Sequence, residues 1–388
     1  MNNRYLRNKI NSILKNLTLI AIIIISVLVL IYVDFTIDDK VFISKEEVNT
    51  VIVTPKKILK LNKESYLVDF GKASFGNLKI KFNDTQRDSL IIHFGEQLNA
   101  NGRVNRTPKG TIRYQKVVLK LNNPEELIID FKKDLLNTSR KSIKTPKFMG
   151  VVLPFRYCEI ENLKFPIDSL ILEQKVFNYK FKNFSGAFSS SDSLLNRIWN
   201  LCSHTIKSSS FTGLYIDGDR ERIPYEADAY INMLGNFNLS SDYRIAKKTN
   251  EYFIDNPTWP TEWILHTVPL FYQYYMYSGD ISQLSKYYEK LKVKTLSFLE
   301  DNNGLISSKD IKLDNKMMRN IGFSKPKIRF NNLYYDTKDR VYNYINNKEI
   351  KLKDLVDWPH KEIINGLKIP GENDNYDMKD YNTVVNAF

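Results

Sequence analysis

Near Phe184 the hydrophobic period of the chain changes, and that change separates two kinds of structure. Before it, short runs rich in β-branched and aromatic residues alternate with turn residues. The candidate strands are Tyr66–Phe70, Asn77–Phe82, Ser89–Gly95, Ile112–Leu121, Glu126–Phe131 and Val151–Glu161. Leu78, Ile80 and Phe82 alternate with Lys79 and Lys81, which predicts one buried and one wet face. This spacing fits an all-β sandwich, jelly-roll-like, over residues 45–182. The polar, basic stretch Lys132–Lys147 reads as an exposed loop. After Phe184, Ser189 to Asp192 supply helix N-cap residues, and Leu194, Ile198, Leu201 and Thr205 follow at helical spacing. Four more stripes predict helical hairpins: Ala227/Tyr230/Ile231/Leu234, Ile245/Thr249/Tyr252/Phe253, Leu265/Val268/Tyr272/Tyr275 and Leu284/Tyr288/Leu291/Thr295/Phe298. Past Gly304 the sequence is polar and loop-like until a last helix near Asp380.

The N-terminus is different again. Residues 1–16 carry Arg4, Arg7, Lys9 and Lys15 and no acid, a basic cytoplasmic segment. Leu17–Val33 has no charge and, as a helix rising about 1.5 Å per residue, would span about 25 Å, near the lower limit for crossing a bilayer. No small-residue cleavage site follows it, so the expectation is an uncleaved signal-anchor, with everything after Asp34 exported and tethered to the membrane. Lys and Arg number 57 against 44 Asp and Glu, a net charge of +13, but the lysines are scattered among Asn and Ile. That pattern reads as a solvated basic surface rather than a nucleic-acid site. Cys158 and Cys202 lie too far apart in sequence for ligand spacing, which excludes a disulfide-built fold and a cysteine zinc site.

Metal and nucleophile motifs are absent from the sequence, and none of its four histidines is paired at ligand spacing, so neither a metal nor a cofactor is expected. Chemistry concentrates instead between Ile216 and Tyr230. There Asp217, Asp219, Glu221, Glu226 and Asp228 lie among Arg220 and Arg222, just ahead of a helix that Pro224 and Tyr225 are suited to start. Crowded carboxylates raise some members' pKa and a neighbouring arginine lowers others, which is how one carboxyl stays protonated as a general acid. A solvated loop of ion pairs is the competing reading. Trp259, Glu262 and Trp263 in the Trp-Pro-Thr-Glu-Trp stretch, and Asp357 with Trp358, place flat aromatic faces beside acids, as a sugar ring requires. Each tryptophan could equally be structural.

The charged segment resembles the acidic signature of glycoside hydrolase family 78, the α-L-rhamnosidases. Arg220-Glu221-Arg222 and Asp228 keep that family's spacing, while Asp217 sits one residue closer than in its commonest form. The resemblance continues in Asp69-Phe70-Gly71, Phe94 to Asn99, Asn105 to Tyr114, Phe155-Arg156-Tyr157, Phe188, Asp192, Trp199, Tyr277 to Asp280 and Tyr381 to Phe388. It implies a β-sandwich followed by an (α/α)6 toroid, the six-hairpin glycosidase barrel, over residues 184–388. It also implies inverting hydrolysis of terminal α-L-rhamnosides, with a rhamnose-containing glycan as partner. Glu221 would be the general acid, with Asp217, Asp219, Arg220, Arg222 and Asp228 holding sugar hydroxyls and tuning it.

An inverting enzyme also needs a base about 6.5–9.5 Å from the acid, and in the family it comes from a later helix. Twelve helices need roughly 350 residues at ordinary helix and loop lengths. About 200 follow Phe184, so the expectation is an incomplete toroid that lacks the base. Two other readings stay open: a membrane-anchored carbohydrate-binding protein without hydrolysis, and a six-hairpin glycosidase for another sugar.

Overall fold

The computed structural model describes residues 41–306 apart from 83–88, 122–124, 140 and 259–260, with a few two-residue strand fragments beyond 306. Leu17–Val33 and the helix expected near Asp380 lie outside the described residues. Among the described residues no helix is long and apolar enough to cross a membrane.

Eight antiparallel strands form the first half: β1 (Val48–Val53), β2 (Lys57–Asn62), β3 (Ser65–Phe82), β4 (Ser89–Gly95), β5 (Tyr114–Lys120), β6 (Glu126–Ile128), β7 (Leu153–Glu161) and β8 (Leu170–Tyr179). The two strands expected at Tyr66–Phe70 and Asn77–Phe82 are a single strand, β3. Its register slips between Asp69 and Ser74, where the Asp69 carboxylate accepts from the Gly71 N–H at 2.7 Å and from two Arg156 nitrogens at 2.8 Å. Such a bulge bends a strand and lets it serve two sheets. The first half of β3 pairs with β2 and β7, the second half with β8 and β6. β4 extends the first layer between β7 and β5, and β1 extends the second beyond β8. Gly76 stands where β3 crosses between layers, and a Cβ there would lie 2.2 Å from the Lys175 carbonyl oxygen. Between the layers Phe94, Phe131 and Phe155 meet edge to face at 4.9–6.1 Å, closed in by Leu78, Ile80, Ile92 and Leu172. The period-two pattern also missed β1 and β2, whose apolar positions are partly exposed, and the buried β8.

The second half is helical: α1 (Ser193–Ser209), α2 (Glu226–Phe237), α3 (Arg244–Asp255), α4 (Thr261–Leu265), α5 (Thr267–Ser278) and α6 (Ser282–Lys294). Asp192 caps α1 by accepting from the Leu194 N–H at 2.7 Å, as its position predicts. The stripe expected to bury α1 does not: Leu194, Ile198 and Leu201 are exposed, and α1 instead buries Ile206 and Ser208. In α2 the buried face is Ala229, Met233 and Phe237, while Ile231 points outward. In α5 it is Leu270, Phe271 and Tyr274, with Tyr272 exposed, and in α6 Tyr288 is likewise exposed. These helices carry apolar residues on more than one face, so periodicity alone does not choose the buried one. Only the α3 stripe, Ile245, Thr249, Tyr252 and Phe253, is buried as read. One continuous core joins the halves, with Phe75 of β3 stacked on Phe211 at 4.5 Å and Ile143, Met149 and Val152 packed with Leu214, Ile216 and Met233.

Candidate active site

The acidic segment folds as a closed loop ahead of α2. The Asp217 N–H donates to the Ile223 carbonyl at 3.1 Å, and the Ile223 N–H returns a bond to the Asp217 carboxylate, also at 3.1 Å. Within that ring Gly218 has φ 101° and Arg222 φ 54°. A left-handed arginine is uncommon, and strain of this kind persists only where the surroundings enforce it. Here they do. The Arg222 guanidinium is buried, bonds Asp219 at 2.7 and 2.9 Å and the Val152 carbonyl at 2.9 Å, and lies over the Phe211 ring. Its own carbonyl accepts from the Ile143 N–H at 2.8 Å.

The β domain grips the same loop through Arg113. Its Nε donates to Asp219 Oδ2 at 2.6 Å, its Nη2 to the carbonyls of Asp219 and Arg220, and its Nη1 to Asp134 at 2.6 Å. The segment that delivers Arg113 is itself pinned, since Arg103 and Arg106 both bond Glu159 and Glu161 at 2.5–3.0 Å. The stretch Lys132–Lys147 is only in part the exposed loop that its polarity suggested: Lys132, Lys133, Leu135, Leu136 and Lys141 are exposed. Asn137, Ser142 and Ile143 are buried beneath the acidic loop, and Asn137 donates to the Asp219 carbonyl at 3.3 Å.

Glu221 projects from this frame beside Tyr225, whose phenol donates to Glu221 Oε2 and meets Trp263 edge-on at 5.5 Å. Burial and the hydrogen bond to Glu221 both hold the Tyr225 phenol protonated. The Asp217 side chain is 5% exposed, with Arg220 3.5 Å away. Burial, opposed by Ile223 and Arg220 and reinforced by Glu221 and Asp228, pushes Asp217 up to about 6. Burial also raises Asp228, in the first turn of α2. The structure thus brings Asp217, Glu221, Asp228 and Arg220 into one electrostatic neighbourhood, with Trp263 beside it through Tyr225. Asp219 and Arg222 are turned to one another and to the β domain. Trp259, Asp357 and Trp358 lie outside the described residues, as does the Glu262 side chain.

The parts played by two groups escaped the sequence reading. Arg113 binds a partner 106 positions away, a distance over which local spacing carries no signal. Glu226 is fully buried at the start of α2 and accepts from both the N–H (2.9 Å) and the hydroxyl of Thr258, which fixes the entry to the Trp259–Trp263 segment. Among the described residues no group of His, Cys, Asp and Glu is arranged to hold a metal ion.

Replacing Arg113 by Met leaves Asp134 without its cation and Asp219 with Arg222 alone. The expected cost is about 1–3 kcal/mol, the scale for charge-assisted hydrogen bonds lost where one cation remains. Hydrogen exchange should show the amides of 217–223 opening faster than those of β3 and β7. Asp217 makes a pH prediction. Its folded carboxyl holds a proton more tightly than the unfolded one, so the stability it contributes is present below about pH 4 and lost as pH rises through about 6. Asp217→Asn should remove about 1–3 kcal/mol of that decline in denaturant titrations at pH 4 and pH 7.

Comparison with known proteins places this geometry. Residues 59–177 match the bacterial alpha-L-rhamnosidase concanavalin-like domain, and residues 183–316 the bacterial alpha-L-rhamnosidase 6 hairpin glycosidase domain. No curated protein sequence matches. Similar solved structures include the Streptomyces avermitilis α-L-rhamnosidase complexed with L-rhamnose: 12% identity, TM-score 0.51, covering 73% of this chain and 30% of that one. The α-L-rhamnosidase of Dictyoglumus thermophilum gives 19%, 0.50, 66% and 30%. A Klebsiella oxytoca rhamnosidase with rhamnose bound gives 14%, 0.49, 68% and 60%. The chain spans 60% of the Klebsiella chain and 30% of the other two. At these identities the Streptomyces and Dictyoglumus structures speak for the fold alone, but the two matched domains belong to one kind of glycoside hydrolase and together take in more than half of the sequence: the chain belongs to the bacterial α-L-rhamnosidase family.

Proposed function

We propose that the chain acts on glycans and glycosides ending in α-L-rhamnose, with Glu221 as the general acid of an inverting hydrolysis. The observation that carries this reading is the placement of Glu221 on a loop locked from two sides, with Asp217 and Asp228 near enough to influence one another's protonation. Tyr225 occupies Glu221 Oε2, which leaves Oε1 to carry the proton delivered to the glycosidic oxygen. Asp217, Asp228 and Arg220 bind sugar hydroxyls, and Trp263 lies against the sugar. Asp219 and Arg222 keep the loop in place. Trp259, Glu262, Asp357 and Trp358 are expected to complete the sugar contacts, and the base is expected from a later helix.

Glu221→Gln should lower turnover of an aryl α-L-rhamnoside by about 10²–10⁴-fold, the usual range for a general acid. Proton NMR of the first-formed product should show the inverted anomer. Turnover unchanged in the variant would overturn the assignment of the acid. A second reading, glycan binding without hydrolysis, draws on the Tyr225–Trp263 aromatic pair beside the acidic loop. Saturable rhamnoside binding with no product released would establish it.

We also propose that Leu17–Val33 tethers the protein to a membrane, with the part after Asp34 exported. The basic residues before an uncharged run support this. Membranes washed with alkaline carbonate should retain the chain, and its release into the wash would refute the tether.

A further inference from the structure

A cavity of about 700 Å³ opens beside the acidic loop, between the β3 bulge, β7 and α1. Four elements send a long cationic side chain to its wall: Lys72 from the bulge, Arg156 from β7, Arg197 from α1 and Arg220 from the acidic loop. Two of these are engaged. Arg156 makes both its bonds to Asp69 at 2.8 Å, and Arg220 leans on Asp217 at 3.5 Å. Lys72 and Arg197 have no carboxylate within ion-pair distance among the described residues.

The acids of the wall do not offset them. Asp219 is already matched by Arg113 and Arg222. Glu96 and Asp217 are the other two wall carboxyls, and burial favours their protonated forms. The remaining wall mixes Ser, Thr, Asn and His204 with the apolar Ala73, Phe75, Pro154 and Leu201, and His204 Nε2 donates to the Ala73 carbonyl at 2.7 Å. A concave surface of low polarity focuses an uncompensated charge into the space it encloses, and a guanidinium fork matches a carboxylate in two bonds.

We propose that this cavity is the subsite for a sugar bearing a carboxylate, a uronic acid residue attached to the rhamnose, with Lys72 and Arg197 as its cationic contacts. The proposal deepens the rhamnosidase reading and rests on it for the neighbouring sugar. The cavity and the proposed acid share one loop, since Asp217 to Arg220 line the cavity and Glu221 is the next residue. A glycan with rhamnose at Glu221 would therefore carry its adjoining residue toward α1 and the bulge.

The test compares two disaccharides of the same linkage, α-L-rhamnosyl-glucuronate and α-L-rhamnosyl-glucose. Each is titrated calorimetrically into the full 388-residue chain carrying Glu221→Gln, so that binding is read without cleavage. The acidic disaccharide should bind about tenfold more tightly at low salt, one charge-assisted contact's worth, and most of that margin should vanish in high salt. Adding Lys72→Ala and Arg197→Ala should bring the two affinities within about twofold while leaving the neutral disaccharide unchanged. Both side chains are exposed, so the fold should tolerate their loss. Equal affinities in the parent, or a preference that survives the double change, would overturn the subsite. Failure of the rhamnosidase reading shows separately, as no hydrolysis of either disaccharide by the protein with Glu221 intact.

Discussion

Arg113 is the interaction on which the arrangement of the site depends. A single guanidinium on the β domain binds the side chain of Asp219, two backbone carbonyls of the acidic loop and Asp134 beneath it. Its side chain is 12% exposed and that of Asp219 is 7%, so the pair is shielded from bulk water and salt. Buried pairs of this kind contribute little net stability, because desolvation offsets the attraction, but losing one partner is costly. What the pair supplies is a fixed position: the loop that presents Glu221 cannot move relative to the β domain without breaking several charge-assisted bonds together. The β domain is therefore part of the active-site frame and not an appended module.

The strained backbone at Arg222 belongs to the same frame. Its left-handed conformation turns the guanidinium toward Asp219 and Val152 and its carbonyl toward Ile143, while Glu221, one residue earlier, faces Tyr225. An Arg-Glu-Arg triplet thus divides its labour. One arginine stays near the cavity, the other is buried as a brace, and the glutamate between them, the proposed acid, meets Tyr225. Alternation of roles at neighbouring positions is what a tight loop produces, since each residue points a different way.

Much of this was legible in the sequence, and the parts that were not share a physical cause. Strand β4 was read with its ends in place, and the Asp192 cap and the buried face of α3 follow from nearest-neighbour chemistry. The concentration of carboxylates between Asp217 and Asp228 stands out by charge alone, and the family resemblance named Glu221 within it. What failed depended on partners distant in sequence. β3 looked like two strands because its bulge interrupts the alternation and its two halves pair with different neighbours, β2 and β7 first, β8 and β6 after. Lys132–Lys147 looked solvated because its polar residues bond a loop some eighty positions later, as Asn137 does with Asp219. The stripes of α1, α2 and α5 were phased toward the wrong side because each helix has apolar residues to spare.

The pairing of β1 with β8 sets Val48 opposite Tyr179, and β3 reaches its second-layer neighbour only when β8 is present. During synthesis β1 emerges long before β8 does, and it waits, with the edge of β3 that β8 will cover, for that one partner. Closure of loops this long is slow, and unpaired edges recruit other chains in the meantime. Lys79 and Lys81, on the half of β3 that pairs with β8, put like charges along that waiting edge. Basic residues at such a place oppose edge-to-edge pairing of half-made copies of the β domain until their last strand arrives.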